Sequence, residues 1–182
     1  MATSISSLDT SIAASASAPT LIDQLRGLDI PGLAEPELRN VLQSARQLQQ
    51  SFEGLIYRVG AEADRRATQG HSAPADEFLS DNGKIRSHTA RRQAARAQTV
   101  ASVDGLSEVV DSGEVGADHI DSLTQRFKKL TDDERVRIDD AQLVAKAREL
   151  SAKRFDRVVR DAVDRARDDH GLRDAQQKKT SI

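Results

Sequence analysis

Cysteine and tryptophan are absent from this chain of 182 residues, and aromatic side chains make up 3% of it. Without cysteine there is no disulfide framework, no thiolate nucleophile and no Cys-based zinc site. With so few aromatics, a core must be assembled from Leu, Val, Ile and Ala. Proline (four) and glycine (ten) are sparse too, while helix-favouring residues are frequent. No period-two alternation of useful length marks a strand, so the expected fold class is all-α. No apolar run approaches the ~20 residues of a membrane span. The first residues carry neither the basic nor the apolar region of a secretory signal. A cytoplasmic protein without membrane contact is expected.

Signatures of chemistry are equally scarce. There is no Gly-rich phosphate loop, and no serine sits in a nucleophile-elbow context. His71, His88, His119 and His170 are dispersed and form no H-E-x-x-H spacing, so neither a metal nor a cofactor is expected. Asp132-Asp133 and Asp168-Asp169 fall at expected helix ends, where capping accounts for them. His170, just before Gly171, suits the negative end of a helix. His119 suits a packing position between helices.

What the chain does have is segregated charge. The net charge of −2 conceals 6 basic and 11 acidic residues over 1–83 and 5 basic with no acid over 84–103. There follow 5 basic and 11 acidic over 104–140, then 11 basic and 7 acidic over 141–182. An overall acidic chain does not attract polyanions by its mean field. Contact with nucleic acid would need the basic segments to present cations locally.

Along the chain, residues 1–19 are Ser/Ala/Thr-rich and read as a disordered arm. A single helical domain is expected over 20–172, and a flexible tail or truncated connection over 173–182. Thr20 caps a short amphipathic turn, LIDQLRG. A long helix follows over about 36–69, with Leu38, Val41, Leu42, Ala45, Leu48, Phe52, Leu55, Ile56, Val59 and Ala63 at three- and four-residue steps. At ~1.5 Å per residue it is roughly 50 Å long. Its apolar stripe needs partners along that length, which later helices or a second copy would supply. Gly70 is its expected stop, and Gly54 and Gly60 within it suit close helix–helix approach.

Residues 74–130 carry the segment of greatest interest. SAPADEFLSDNG reads as a short helix closed by an Asp81-Asn82-Gly83 turn, with Phe78 and Leu79 facing in. The next helix is expected to be capped by Ser87 and to turn Ala90, Ala94, Ala97 and Ala101 inward. His88, Arg92, Arg96 and Thr99 would then face outward. A short helix, a tight turn and a second arginine-bearing helix form the outline of a helix-turn-helix. A solvated arginine face is the plainer reading, and a phosphate-binding helix the sharper one. In the sharper one Arg91, Arg92 and Arg96 contact phosphates or bases, and Lys84 and Arg86 the backbone. The C-terminal helices (131–170) open with a capping box, Thr131 and Glu134. Phe155, Val159, Ala162 and Ala166 share one side of the last helix. Asp156–Arg160 and Asp161–Arg165 are i,i+4 pairs, leaving Lys153, Arg154, Arg157 and Arg167 for outside contacts.

The run through Gly113-Glu114-Val115 to His119 resembles the helix-turn-helix segment of ParB-type partition proteins. From about Leu38 to Thr180 the chain also resembles the helical domain of unknown function that precedes HNH nuclease modules in a large actinobacterial family. That likeness rests on Glu62-Ala63-Asp64-Arg65-Arg66, Phe78-Leu79, Ala90-Arg91-Arg92, Leu106 through His119, and Asp168-Asp169-His170-Gly171-Leu172. The resemblance implies a truncated or split relative whose part is to position DNA while cleavage chemistry lies elsewhere. Two functions are therefore expected as alternatives. One is a non-catalytic DNA-binding helical module of an HNH-endonuclease-type protein. The other is a helical oligomerisation or protein-interaction scaffold, homodimeric through the long helix.

Overall fold

The structure, a computed structural model, describes residues 27–180, with side chains through Asp168. The expected arm over 1–19 and the LIDQLRG turn lie outside the described residues. Eight α-helices follow a 3-10 turn at Ile30–Gly32, and there is no strand among the described residues. They are α1 (Glu35–Ala67), α2 (Ala75–Gly83), α3 (Ser87–Ser102), α4 (Leu106–Asp111), α5 (Ala117–Phe127), α6 (Asp132–Arg135), α7 (Asp140–Glu149) and α8 (Ala152–Thr180). The fold is all-α, a long helix packed with several shorter ones.

The chain divides into two units, residues 1–43 and 44–182. In the first, none of the described residues is buried. Its local order comes from the Ala34 N–H donating to Glu37 Oε2 (2.8 Å) and an Arg39–Glu35 ion pair at the start of α1.

In the second unit the core is the contact zone of α3, α4, α5, α7 and α8, with Tyr57 reaching in from α1. Leu106, Ile120, Leu143, Phe155 and Val159 are almost completely buried there. As expected, Phe155, Val159 and Ala166 share the inner side of α8, joined by Val163. α5 packs against both α3 and α8. A smaller cluster joins α2 to α3 through Ala75, Leu79, Ala90 and Ala94, with Ile56 and Ile85 at its edge. His119 does pack between helices: its Nε2–H donates to the Leu150 carbonyl (2.9 Å) and its ring lies 5.4 Å from that of Phe155. The Thr131–Glu134 capping box forms as read, opening α6.

α1 does not bury the stripe its periodicity suggested. Of the ten stripe residues only Ala63 is buried, whereas Phe52, Leu55 and Val59 are 54%, 48% and 42% exposed. The buried side is Gly54, Tyr57, Gly60 and Ala63. A Cβ at Gly60 would stand 3.2 Å from Ala97 Cβ, and one at Gly54 2.9 Å from Asp111 Oδ1 and 3.0 Å from Val110 Cγ1. The absence of side chains lets α3 and α4 approach, so small size, not hydrophobicity, selects the packing face.

Two helix ends also differ from expectation. α2 runs through Asp81-Asn82-Gly83, and the left-handed residue that closes it is Lys84 (φ 52). α8 continues through Gly171 to Thr180, so His170 does not precede a helix end and residues 173–180 are helical. An interior helical glycine such as Gly171 costs roughly 1 kcal/mol, which α8 accommodates; a glycine in a tight turn instead answers a steric need.

That steric need is at Gly113, after α4, which has φ 73, and a Cβ there would lie 2.4 Å from the Gln47 carbonyl oxygen. Gln47 Nε2 in turn donates to the Ser112 carbonyl (3.0 Å). Gly113→Ala is expected to lower unfolding free energy by at least about 1–3 kcal/mol, the cost of one strained backbone residue. Urea denaturation followed by circular dichroism measures it; an unchanged midpoint would refute the tight contact.

Candidate nucleic-acid interface

The residues named for nucleic-acid contact separate into two groups once α3 is placed. Its first two turns keep an open outer side, with His88, Arg91 and Arg92 exposed. Its second half is covered by α5, and there Arg96 and Thr99 are each only 7% exposed. The outward position expected for Arg96 is therefore wrong. A helix has one apolar stripe by composition, but what is buried depends on what lies over each turn. Ala90, Ala94 and Ala97 are buried as expected, while Ala101 is exposed.

Arg96 has become an internal structural cation. Its Nε and Nη2 donate to the two carboxylate oxygens of Asp121 on α5 (2.7 and 2.6 Å), and Nη1 donates to the Tyr57 hydroxyl (3.3 Å). The Tyr57 hydroxyl donates onward to Glu53 (3.3 Å). Bidentate pairing raises the Arg96 pKa despite its burial and depresses that of Asp121. Burial, the larger influence, pushes the Tyr57 phenol up to about 12 against the opposing field of Arg96. Beside it the Thr99 and Thr124 hydroxyls lie 2.7 Å apart, so α3 meets α5 through a small, satisfied polar layer.

Lys84, Arg86 and Arg92 are exposed and form no salt bridge among the described residues, although Arg92 adds to the field that lowers the Asp121 pKa. Arg91 is 75% exposed with Asp76 Oδ2 at 3.7 Å, a separation too long for a firm hydrogen bond. Lys84, Ile85 and Arg86 form the three-residue connection between α2 and α3, which pack together through the smaller cluster. Ser87 is not the cap. The N-cap position is Arg86, and no side chain caps this helix.

The second cationic set lies on α8. Lys153, Arg154 and Arg157 are exposed, without a partner among the described residues, but Arg167 donates to the Lys129 carbonyl (2.8 Å). Asp156 is held chiefly by Arg126 (2.8 and 2.9 Å) and only loosely by Arg160 (3.4 Å). Arg165 donates to the Asp161 backbone carbonyl rather than its carboxylate. The partners that sequence reasoning missed, Asp121 and Tyr57, lie 25 and 39 positions from Arg96. No local spacing signals such pairs.

In another cleft, of about 730 Å³, Arg135 stacks over Phe127 at 4.4 Å and pairs with Asp140 (2.7 Å). Among the described residues no cluster of His, Asp or Glu could hold a metal, and no helix is long and apolar enough to cross a membrane. The class defined by the fold is an all-α protein, a long helix packed against several shorter ones. No family model, curated protein or solved structure matches the chain.

Asp121 has a depressed folded-state pKa, so its ionised form stabilises the fold above the unfolded carboxyl value. That contribution is lost as pH falls below about 4. Asp121→Asn is expected to destabilise the protein at pH 7 by about 3 kcal/mol, because the Arg96 charge stays buried with half its pairing. It should also flatten the acid limb of the stability–pH curve. Urea midpoints from pH 3 to pH 7 check both; an equally steep acid limb in the variant would exclude Asp121 as a source.

Proposed function

We propose that this chain is a non-catalytic DNA-positioning module that touches duplex phosphates through Lys84, Arg86 and Arg92, with Arg91 at the flank. The observation that carries the reading is that these cations surround the α2–α3 turn and the open first turns of α3, none of the first three in a salt bridge, although Arg92 stands in the field of Asp121, whose oxygens are already held by Arg96. In a helix-turn-helix the N-terminal turns of the second helix approach the groove, and these are the turns left uncovered. Arg96 takes no part in contact; its role is to hold α3 in place. The resemblance to the helical domain preceding HNH nuclease modules gives the reading its setting, with cleavage assigned to a separate module.

Each phosphate neutralised contributes about −0.9 to the slope of log K against log salt, so three contacts give about −2.7. Binding to a mixed-sequence duplex measured by fluorescence anisotropy from 50 to 200 mM salt tests this. Lys84→Ala with Arg92→Ala should make the slope shallower by about 1.8. Absence of binding at low salt would defeat the reading.

A second reading, a helix-docking scaffold, is favoured by the exposed Phe52, Leu55 and Val59 on α1. Contiguous exposed apolar surface of this kind marks interaction sites. A homodimer is its simplest form, with a light-scattering mass of twice 19.8 kDa that returns to 19.8 kDa in Leu55→Asp. A monomer at all concentrations would remove the homodimer.

A further inference from the structure

Three exposed cations at the start of α8 are left over by the ion pairing of the fold. Lys153, Arg154 and Arg157 occupy its first two turns, and none of their side chains has a partner among the described residues. At 100° per residue all three fall on the side opposite Phe155, Val159 and Val163, which are buried in the core. Over residues 152–160 the helix carries four cations and one carboxylate, Asp156. That carboxylate is already held by Arg126 (2.8 Å) and, more loosely, by Arg160 (3.4 Å). In the cleft beside Ala152, Glu53 and Asp118 stand with Arg46. On α8 itself the next carboxylate is Asp161, a turn past Arg157. The cationic excess of the first two turns survives both.

We infer that Lys153, Arg154 and Arg157 form a second contact with duplex phosphates, beside the one at the entry to α3. The inference rests on the DNA-positioning reading and adds a second site to it. Composition selects the partner. Among the described residues no large apolar side chain of α8 is exposed, so the patch has nothing to insert into a lipid surface and no apolar centre for a protein interface. The aromatic residue of these turns, Phe155, is fully buried, so the bases of a single strand find no ring to stack on. Cations alone suit the backbone of a duplex, which is held by charge. Lys153 and Arg157 stand about 6 Å apart along the helix axis, a length over which one strand offers about two phosphates. Position agrees with composition. α5 lies between α3 and α8: its Asp121 and Thr124 meet Arg96 and Thr99, while its His119 and Arg126 meet Phe155 and Asp156. With packed helix axes about 8–10 Å apart, α3 and α8 are separated by roughly 20 Å at most, less than the ~34 Å of one duplex turn. Both sites are within reach of one duplex.

The test is anisotropy of a fluorescein-labelled mixed-sequence duplex titrated with the full chain across salt. Six contacts in place of three steepen the slope of log K against log salt from about −2.7 to about −5.4. Lys153→Ala with Arg154→Ala and Arg157→Ala should return the slope to about −2.7 and weaken binding at low salt by at least about tenfold. Lys153→Arg with Arg154→Lys and Arg157→Lys keeps the charges and should keep the slope. All three positions are exposed, and circular dichroism verifies that each variant folds. If the triple-alanine variant binds with the parent slope while Lys84→Ala with Arg92→Ala binds less steeply, the α8 contact is overturned and the α3 reading stands. A loss confined to the triple-alanine variant would support the α8 contact and overturn the one at α3. Failure of the parent to bind duplex would overturn both. Binding to phosphatidylserine vesicles that the triple-alanine variant loses would then assign the cluster to a membrane surface instead.

Discussion

Burying a guanidinium obliges the fold to bring its partners with it. Arg96 lies inside the second unit, where Asp121 accepts through both oxygens and the Tyr57 hydroxyl accepts a third hydrogen bond. Those three residues belong to α3, α5 and α1, so one desolvated charge registers three helices at once. Uncompensated, such a charge costs several kcal/mol, whereas well-packed apolar helices tolerate small rotations at little cost. The cluster therefore fixes the rotation of α3 about its axis. The side of α3 that turns Arg96 and Thr99 under α5 stays open over the first two turns, where it bears His88 and Arg92.

The same logic accounts for much of the charge segregation along the chain. The acid-rich stretch from Asp104 to Asp140 supplies carboxylates to arginines: Asp121 to Arg96, Asp140 to Arg135 and Glu114 to Arg148. Cations that escape this pairing cluster where helices begin. Lys84, Arg86 and Arg92 surround the entry to α3, and Lys153, Arg154 and Arg157 occupy the first turns of α8. Cations near a helix N-terminus gain nothing from the macrodipole, so intrahelical electrostatics does not explain their placement. The proposed phosphate contact at α3 would use the cations so placed.

α1 follows a different rule. Gly54 and Gly60 allow backbones to come close, and the space saved admits Tyr57 into the core beside them. A face chosen by small size leaves the large apolar side chains pointing away. Exposed Phe52, Leu55 and Val59 thus follow from how the core is closed.

Much of the architecture was legible in the chain. The absence of period-two runs and the regular three- and four-residue spacing gave an all-α reading, and Thr131 with Glu134 marked a helix start, because these depend on neighbours a few residues apart. Ala90, Ala94 and Ala97 on α3, and Phe155, Val159 and Ala166 on α8, were legible for the same reason. Periodicity shows which side of a helix is apolar, but whether that side is covered depends on other elements, and so the stripe of α1 was misread. The partnership of Arg96 with Asp121 joins residues 25 positions apart across two helices. Sequence by itself determined the helices and the stock of cations; tertiary packing decided which cations were spent inside, since ion pairing is settled by distances in space that local spacing does not encode.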